Sequence, residues 1–102
     1  PLPPEADDEL FLHVWGRIET FVAASRPEFI ILQCGADALA DDPLTHLALS
    51  HRVHRVVTAD LCRIADSQCG GRLLALGGGG YNRARTAQAW VEVIRTMVEN
   101  TA

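Results

Sequence analysis

The sequence predicts an α/β protein with an open parallel sheet, its elements running helix, strand, helix, strand, helix. Two short apolar runs, Phe29-Ile30-Ile31-Leu32-Gln33-Cys34 and Leu73-Leu74-Ala75-Leu76, are too brief for helices and read as strands. Three longer stretches with apolar residues at helical spacing flank and separate them. Alternation of this kind implies parallel strands joined by a right-handed crossover.

In chain order, Pro1 to Ala6 is expected to be extended, because proline pushes its predecessors out of helical geometry. Asp7, Asp8 and Glu9 then supply a cap and first-turn acids for a helix N-terminus. Leu10, Phe11, Val14, Trp15, Ile18, Phe21 and Val22 form one broad stripe, and Pro27 ends this first helix. Trp15 and the phenylalanines are expected in the core. The run from Phe29 to Cys34 is continuous and rich in β-branched residues, the pattern of a strand buried on both faces.

A long connection, Ala36 to Leu49, follows Gly35 and carries Asp37, Asp41, Asp42 and Pro43. Long ordered loops in compact domains tend to be functional. Ser50 can cap a second helix with Val53, Val56, Val57, Leu61 and Ile64 facing inward, closed by Gly70-Gly71. The strand Arg72 to Leu76 comes next. The third helix begins after Asn82 and is expected to turn Ala87, Trp90, Val91, Ile94, Met97 and Val98 inward. Two strands make a poor sheet, and both are too apolar for edges, so further strands are expected outside this chain.

A chain of 102 residues fits a single domain spanning 1–102. Hydrophobic content of 48% and a mean hydropathy of +0.07 hint at surface made to pack against something else. The net charge of −4 argues against a nucleic-acid footprint. All nine basic residues are arginine, which removes Schiff-base or phosphate-loop lysine chemistry. Three cysteines without a CxxC pair indicate neither a disulfide framework nor a zinc knuckle, and point to a reducing, cytoplasmic setting. No apolar run approaches membrane-spanning length and no signal peptide is visible. The proline-rich start without methionine looks like the middle of something larger or a processed product.

The second strand runs straight into Gly77-Gly78-Gly79-Gly80-Tyr81-Asn82. Glycine lets the backbone take positive φ and pass close to other groups. Ligands of open parallel sheets bind outside the carboxyl ends of the strands. Asp37 follows the first strand by three residues and Tyr81 the second by five, so topology brings a carboxylate and a phenol towards one crevice. The carboxylate could act as metal ligand or base, and the phenol could donate a hydrogen bond to developing negative charge. The residues alone leave open that Asp37 caps a turn and Tyr81 is half-buried.

Gln33-Cys34-Gly35-Ala36-Asp37-Ala38-Leu39-Ala40-Asp41-Asp42-Pro43-Leu44, followed by Leu76 and the GGGGYN box, resembles the zinc-dependent histone deacetylase family. It is most similar to the bacterial acetoin-utilisation-type deacetylases. The resemblance runs from about Pro1 to Asn100 and implies the C-terminal part of a three-layer α/β/α, arginase-like deacetylase domain. It makes Asp37 one of three protein ligands to a catalytic zinc, and Tyr81 the phenol that polarises the acyl carbonyl. It places Gly78, Gly79 and Gly80 along the acyl-lysine channel or pocket floor, and Leu44 in the channel wall. The implied substrate is an acetylated lysine or a related acylated amine.

The family's other ligands come from an Asp-x-His motif and its base from a His-His pair, and neither occurs here. His13 sits beside the stripe of the first helix, His51 and His54 at the start of the second are expected in surface or capping roles, and His46 in a structural one. Cys34 is expected to be a small buried hydrophobe rather than a nucleophile. This chain alone is therefore expected to bind metal weakly or not at all and to be inactive. Two rival functions stand beside this one. One is an anion- or nucleotide-binding module using the glycine loop; the other is a non-catalytic module that self-associates through exposed strand edges.

Overall fold

A computed structural model describes residues 2–40 and 48–100. It contains α1 (Asp8–Ala24), β1 (Ile30–Gln33), α2 (His51–Gln68), β2 (Leu73–Leu76) and α3 (Arg83–Glu99), the order the sequence predicts. Each helix starts where a side chain can satisfy an unpaired N–H. Asp7 accepts from Leu10 N at 3.1 Å, Ser50 from Arg52 N at 3.2 Å and Asn82 from Arg85 N at 3.2 Å. Asp8 does something else. Its carboxylate accepts from the backbone N–H of Ser50 at 2.7 Å and from the Ser50 hydroxyl, tying the start of α1 to the start of α2. Gly70 and Gly71, at φ of +61° and +77°, turn the chain out of α2 into β2.

β1 and β2 pair in parallel, with Ile30 opposite Leu73 and Gln33 opposite Leu76. Successive residues of a strand point to opposite faces, so Ile30, Leu32, Leu73 and Ala75 share one face. That face lies under the helices. Ile30 joins Trp15, Leu61, Ile64, Ala65 and Cys69 in a buried cluster, with Leu32 and Leu73 packed against it. Trp15 lies in this core as expected, and its indole N–H donates to the buried Asp60 carboxylate at 2.8 Å. Arg63 pairs with the same carboxylate. A second small cluster joins Ala36 and Leu39 to Ala89 of α3, with Trp90 against it.

Three expectations about burial are corrected. The strands are not buried on both faces: Ile31, Leu74 and Leu76, together with Gln33, form the opposite face and are exposed, Ile31 at 63%. Among the described residues nothing lies over that face, and both strands are edges of a two-stranded sheet. The third helix also turns differently. Thr86, Ala89, Val93 and Thr96 are its buried residues, whereas Val91, Ile94 and Val98 are exposed. Small side chains at three- and four-residue spacing let α3 approach α2 closely, and α2 is its partner in the fold. The bulkier stripe is left facing outward. The first helix divides similarly, burying Trp15 while Ile18 and Phe21 stay exposed.

Candidate active site

Cys34 to Asp37 form the turn at the carboxyl end of β1, and Gly77 to Tyr81 leave the carboxyl end of β2 beside it. Parallel pairing puts both on one rim of the sheet. Cys34 N–H continues the ladder by donating to Leu76 O at 2.7 Å, and Ala36 N–H donates to Gly79 O. The two loops are thus stitched together past the end of the strands.

The glycine run has a reason internal to this chain. A Cβ on Gly79 would lie 2.7 Å from Asp37 Oδ2, and one on Gly78 would collide with the Gln33 amide. At Gly79 the short Asp37 side chain leaves no room for a Cβ, whereas at Gly78 the Gln33 amide would have to move aside. The Asp37 carboxylate therefore packs against Gly79, two residues before Tyr81. Asp37 is partly buried, and Tyr81 is 55% exposed at the rim.

From Cys34 to Ala36 the backbone of the turn is fully hydrogen-bonded. Trp90 Nε1 of α3 donates to Cys34 O at 2.8 Å, and Gly35 N–H donates to Gln33 Oε1 at 3.0 Å. His54 Nε2 of α2 lies 3.0 Å from Gly35 O, and Leu39 N–H donates to Ala36 O at 3.3 Å. A carbonyl oxygen only accepts, so Nε2 carries the His54 proton. Nδ1 is then a bare acceptor, and among the described residues it is buried without a hydrogen-bond partner. Burial pushes the His54 pKa below its ordinary value, with neighbouring His51 acting in the same direction against the opposing bond to Gly35.

Behind the turn lies a cavity of about 300 Å³ walled by Phe11, Trp15, Leu32, Leu49, Val53 and Val57, among others. Cys34 in its wall is buried, and burial raises its thiol pKa, as a packing role demands. The described ends of the long connection are pinned: Ala40 N–H donates to Leu49 O at 2.8 Å, and Ala48 N–H to Ala6 O at 2.8 Å. Leu44, Asp41, Asp42 and His46 lie outside the described residues.

Residues 1–97 match the histone deacetylase domain. The chain belongs to the histone deacetylase family. It is 37% identical over 95 residues to the acetoin utilization protein AcuC of Bacillus subtilis, covering 91% of this chain and 24% of that protein. It is 32% identical over 100 residues to type-2 histone deacetylase 1 of Dictyostelium discoideum, covering 98% of this chain and 7% of that protein. A probable deacetylase of Archaeoglobus fulgidus is 37% identical over 83 residues, covering 80% of this chain and 23% of that one. The chain thus spans a quarter or less of these three relatives. In fold it is similar to the HDA15 HD domain, at a TM-score of 0.82 and 22% identity, covering 95% of this chain and 27% of that one. The histone deacetylase Clr3 gives the same TM-score at 20% identity over 95% of this chain and 16% of its own.

Within this member of the histone deacetylase family, no three His, Cys, Asp or Glu side chains gather into a metal-binding group among the described residues. No described helix is long and apolar enough to cross a membrane. His54 is the residue that sequence reasoning misplaced. It is neither a surface group nor a cap, but a partner of the turn that carries Asp37. Its signal was weak: a polar residue beside the inward stripe of Val53, Val57 and Leu61.

Proposed function

We propose that this chain is the C-terminal part of a zinc-dependent deacetylase domain and supplies part of an active site that hydrolyses the amide of acetyl-lysine or a related acylated amine. The observation that carries this reading is the single rim on which the Asp37 carboxylate packs against Gly79, two residues before Tyr81. Family membership supports it.

The donor chemistry fits zinc for one position of its set. Asp37 offers a carboxylate oxygen, and the missing Cβ at Gly79 keeps room beside it. A zinc ion held there would supply a Lewis acid for the acyl carbonyl and make water a stronger nucleophile at neutral pH. Tyr81 would donate its phenolic hydrogen to the oxygen that gains charge as the carbonyl is attacked, stabilising the transition state more than the ground state. Gly78, Gly79 and Gly80 would form a wall without side chains along which the acyl chain lies, with Leu44 as the apolar side of the channel. The same carboxylate disfavours a nucleotide-binding reading, because it would repel a phosphate at the glycine loop.

One carboxylate does not complete a coordination set, so this chain alone is inactive and the remaining ligands and the base come from elsewhere. The test is hydrolysis of an acetyl-lysine peptide. Chelator-sensitive turnover by the intact protein, and none by residues 1–102, is the expected outcome; robust turnover by residues 1–102 would refute the incomplete site. The exposed face of Ile31, Leu74 and Leu76 favours a second statement: residues 1–102 expressed alone self-associate. Light scattering after size exclusion checks it, and a monodisperse monomer would contradict it.

A further inference from the structure

Between Cys34 and Ala36 every backbone N–H and C=O has a protein partner. The strand neighbour and the glycine loop supply two of them, Leu76 O and Gly79 O. Gln33 and Leu39 are local partners. Among the described residues two side chains reach the turn from the helical layer, and they hold consecutive carbonyls. Trp90 Nε1 of α3 takes Cys34 O, and His54 Nε2 of α2 takes Gly35 O.

We infer that His54 and Trp90 are positioning residues for Asp37: the two N–H groups lock the peptide planes from Cys34 to Ala36 and so aim the carboxylate two residues past Gly35. The inference rests on the proposed role of Asp37, but its physical content does not. A peptide carbonyl fixes the plane it belongs to. Holding the carbonyls of Cys34 and Gly35 fixes two consecutive planes, and Ala36 N–H on Gly79 fixes the second of them from its other end. The two helices that supply these donors pack against each other, so the clamp is anchored in the core rather than on a loop.

The arrangement of His54 is costly unless it serves this purpose. Among the described residues its buried Nδ1 has no partner, and a leucine of similar volume would remove that unsatisfied acceptor while giving up the donor to Gly35 O. A pure packing role does not call for an imidazole. Donation from Nε2 to Gly35 O does.

The experiment compares the intact protein with His54→Gln, which keeps an N–H donor near the position of Nε2, with His54→Leu, which keeps volume without a donor, and with Trp90→Phe. Zinc affinity is read by competition with a chelating dye, kcat and KM on an acetyl-lysine peptide, and thermal unfolding on each variant. Removing a group that orients a metal ligand typically weakens affinity or activity about 10- to 100-fold. His54→Leu and Trp90→Phe are expected to lose zinc affinity and kcat in that range with KM nearly unchanged, while His54→Gln stays within about threefold of the parent. Parental zinc affinity and kcat in a folded His54→Leu, or a Gln variant as impaired as the Leu variant, would overturn the inference.

Amide exchange at Ala36 and Asp37 is a readout independent of metal. It should accelerate in His54→Leu and not in His54→Gln, and the imidazole ¹⁵N shifts of the parent should report the Nε2–H tautomer. Unchanged exchange or the opposite tautomer overturns the clamp. If His54→Leu does not fold, the tautomer and the Gln variant still decide. If the parent itself neither binds zinc nor turns over, the functional reading fails, and the clamp is judged on exchange alone.

Discussion

The two arms of the candidate site are built in opposite ways. The arm after β1 is short and held: Asp37 follows three residues whose backbone groups are all paired, two of them by side chains from the helical layer. The arm after β2 is a run of glycines ending in a half-exposed tyrosine at the rim. A metal ligand must be aimed before anything binds, because its geometry is set by the ion. A donor that acts on developing charge needs reach as well as aim, and some of its order can come from the bound substrate. On the roles proposed above, the contrast gives the carboxylate the more preorganised arm.

Substitutions at the two tips separate these roles most strongly. Asp37→Ala should abolish zinc binding at this site in the intact protein and reduce turnover to that of the chelated enzyme, read by metal analysis and peptide hydrolysis together. Tyr81→Phe should keep zinc and lower kcat by about 10²- to 10³-fold, the range for removing one transition-state hydrogen-bond donor. Near-normal turnover in Tyr81→Phe would remove its role, and loss of zinc there would erase the distinction between the arms.

A smaller effect tests where the arms meet. In Gly79→Ala the added Cβ would stand 2.7 Å from Asp37 Oδ2, so the carboxylate or the loop must shift. Overpacking of this kind costs about 1–3 kcal/mol, measurable by denaturant unfolding. The expected signature is weaker zinc binding alongside reduced stability. Unchanged affinity would mean that the contact does not hold the two arms together.

The smallest effect is on acid stability. Burial lowers the His54 pKa from its ordinary value of 6.5, so below that value the unfolded chain takes up a proton that the folded chain resists. The unfolded state then binds more protons, and stability falls as pH drops through this window. Thermal unfolding between about pH 8 and pH 5 should show the parent losing more than His54→Gln, which does not titrate there. Equal losses in both would show that His54 is not the group responsible.

Much of the fold was legible because its signals are local. Asp7 and Ser50 cap the helices at the positions their side-chain chemistry suggested, α3 begins after Asn82, and the two apolar runs are parallel strands. What failed was choosing a face. The third helix has a bulky stripe and a small one, and hydrophobic periodicity favours the bulky Trp90, Val91 and Ile94. Close approach to α2 selects Ala89, Val93 and the threonines instead. The continuous strands read as buried twice over, which they are not within the described residues; the outer face of Ile31, Leu74 and Leu76 is bare. At the site, Asp37 and Tyr81 could be brought to one rim by topology alone. His54 could not, because its partner is a backbone carbonyl, and a carbonyl has no residue type to search for.

The central claim is that Asp37 and Tyr81 face a common point on that rim. Anomalous diffraction at the zinc edge, from crystals of the intact protein with a non-hydrolysable acyl-lysine analogue, tests it most directly. The account predicts a zinc peak at about 2.0–2.2 Å from an Asp37 carboxylate oxygen, with the Tyr81 hydroxyl within hydrogen-bonding distance of the analogue's carbonyl oxygen. A zinc peak remote from Asp37, or a tyrosine hydroxyl turned to the other side of the sheet, would contradict it.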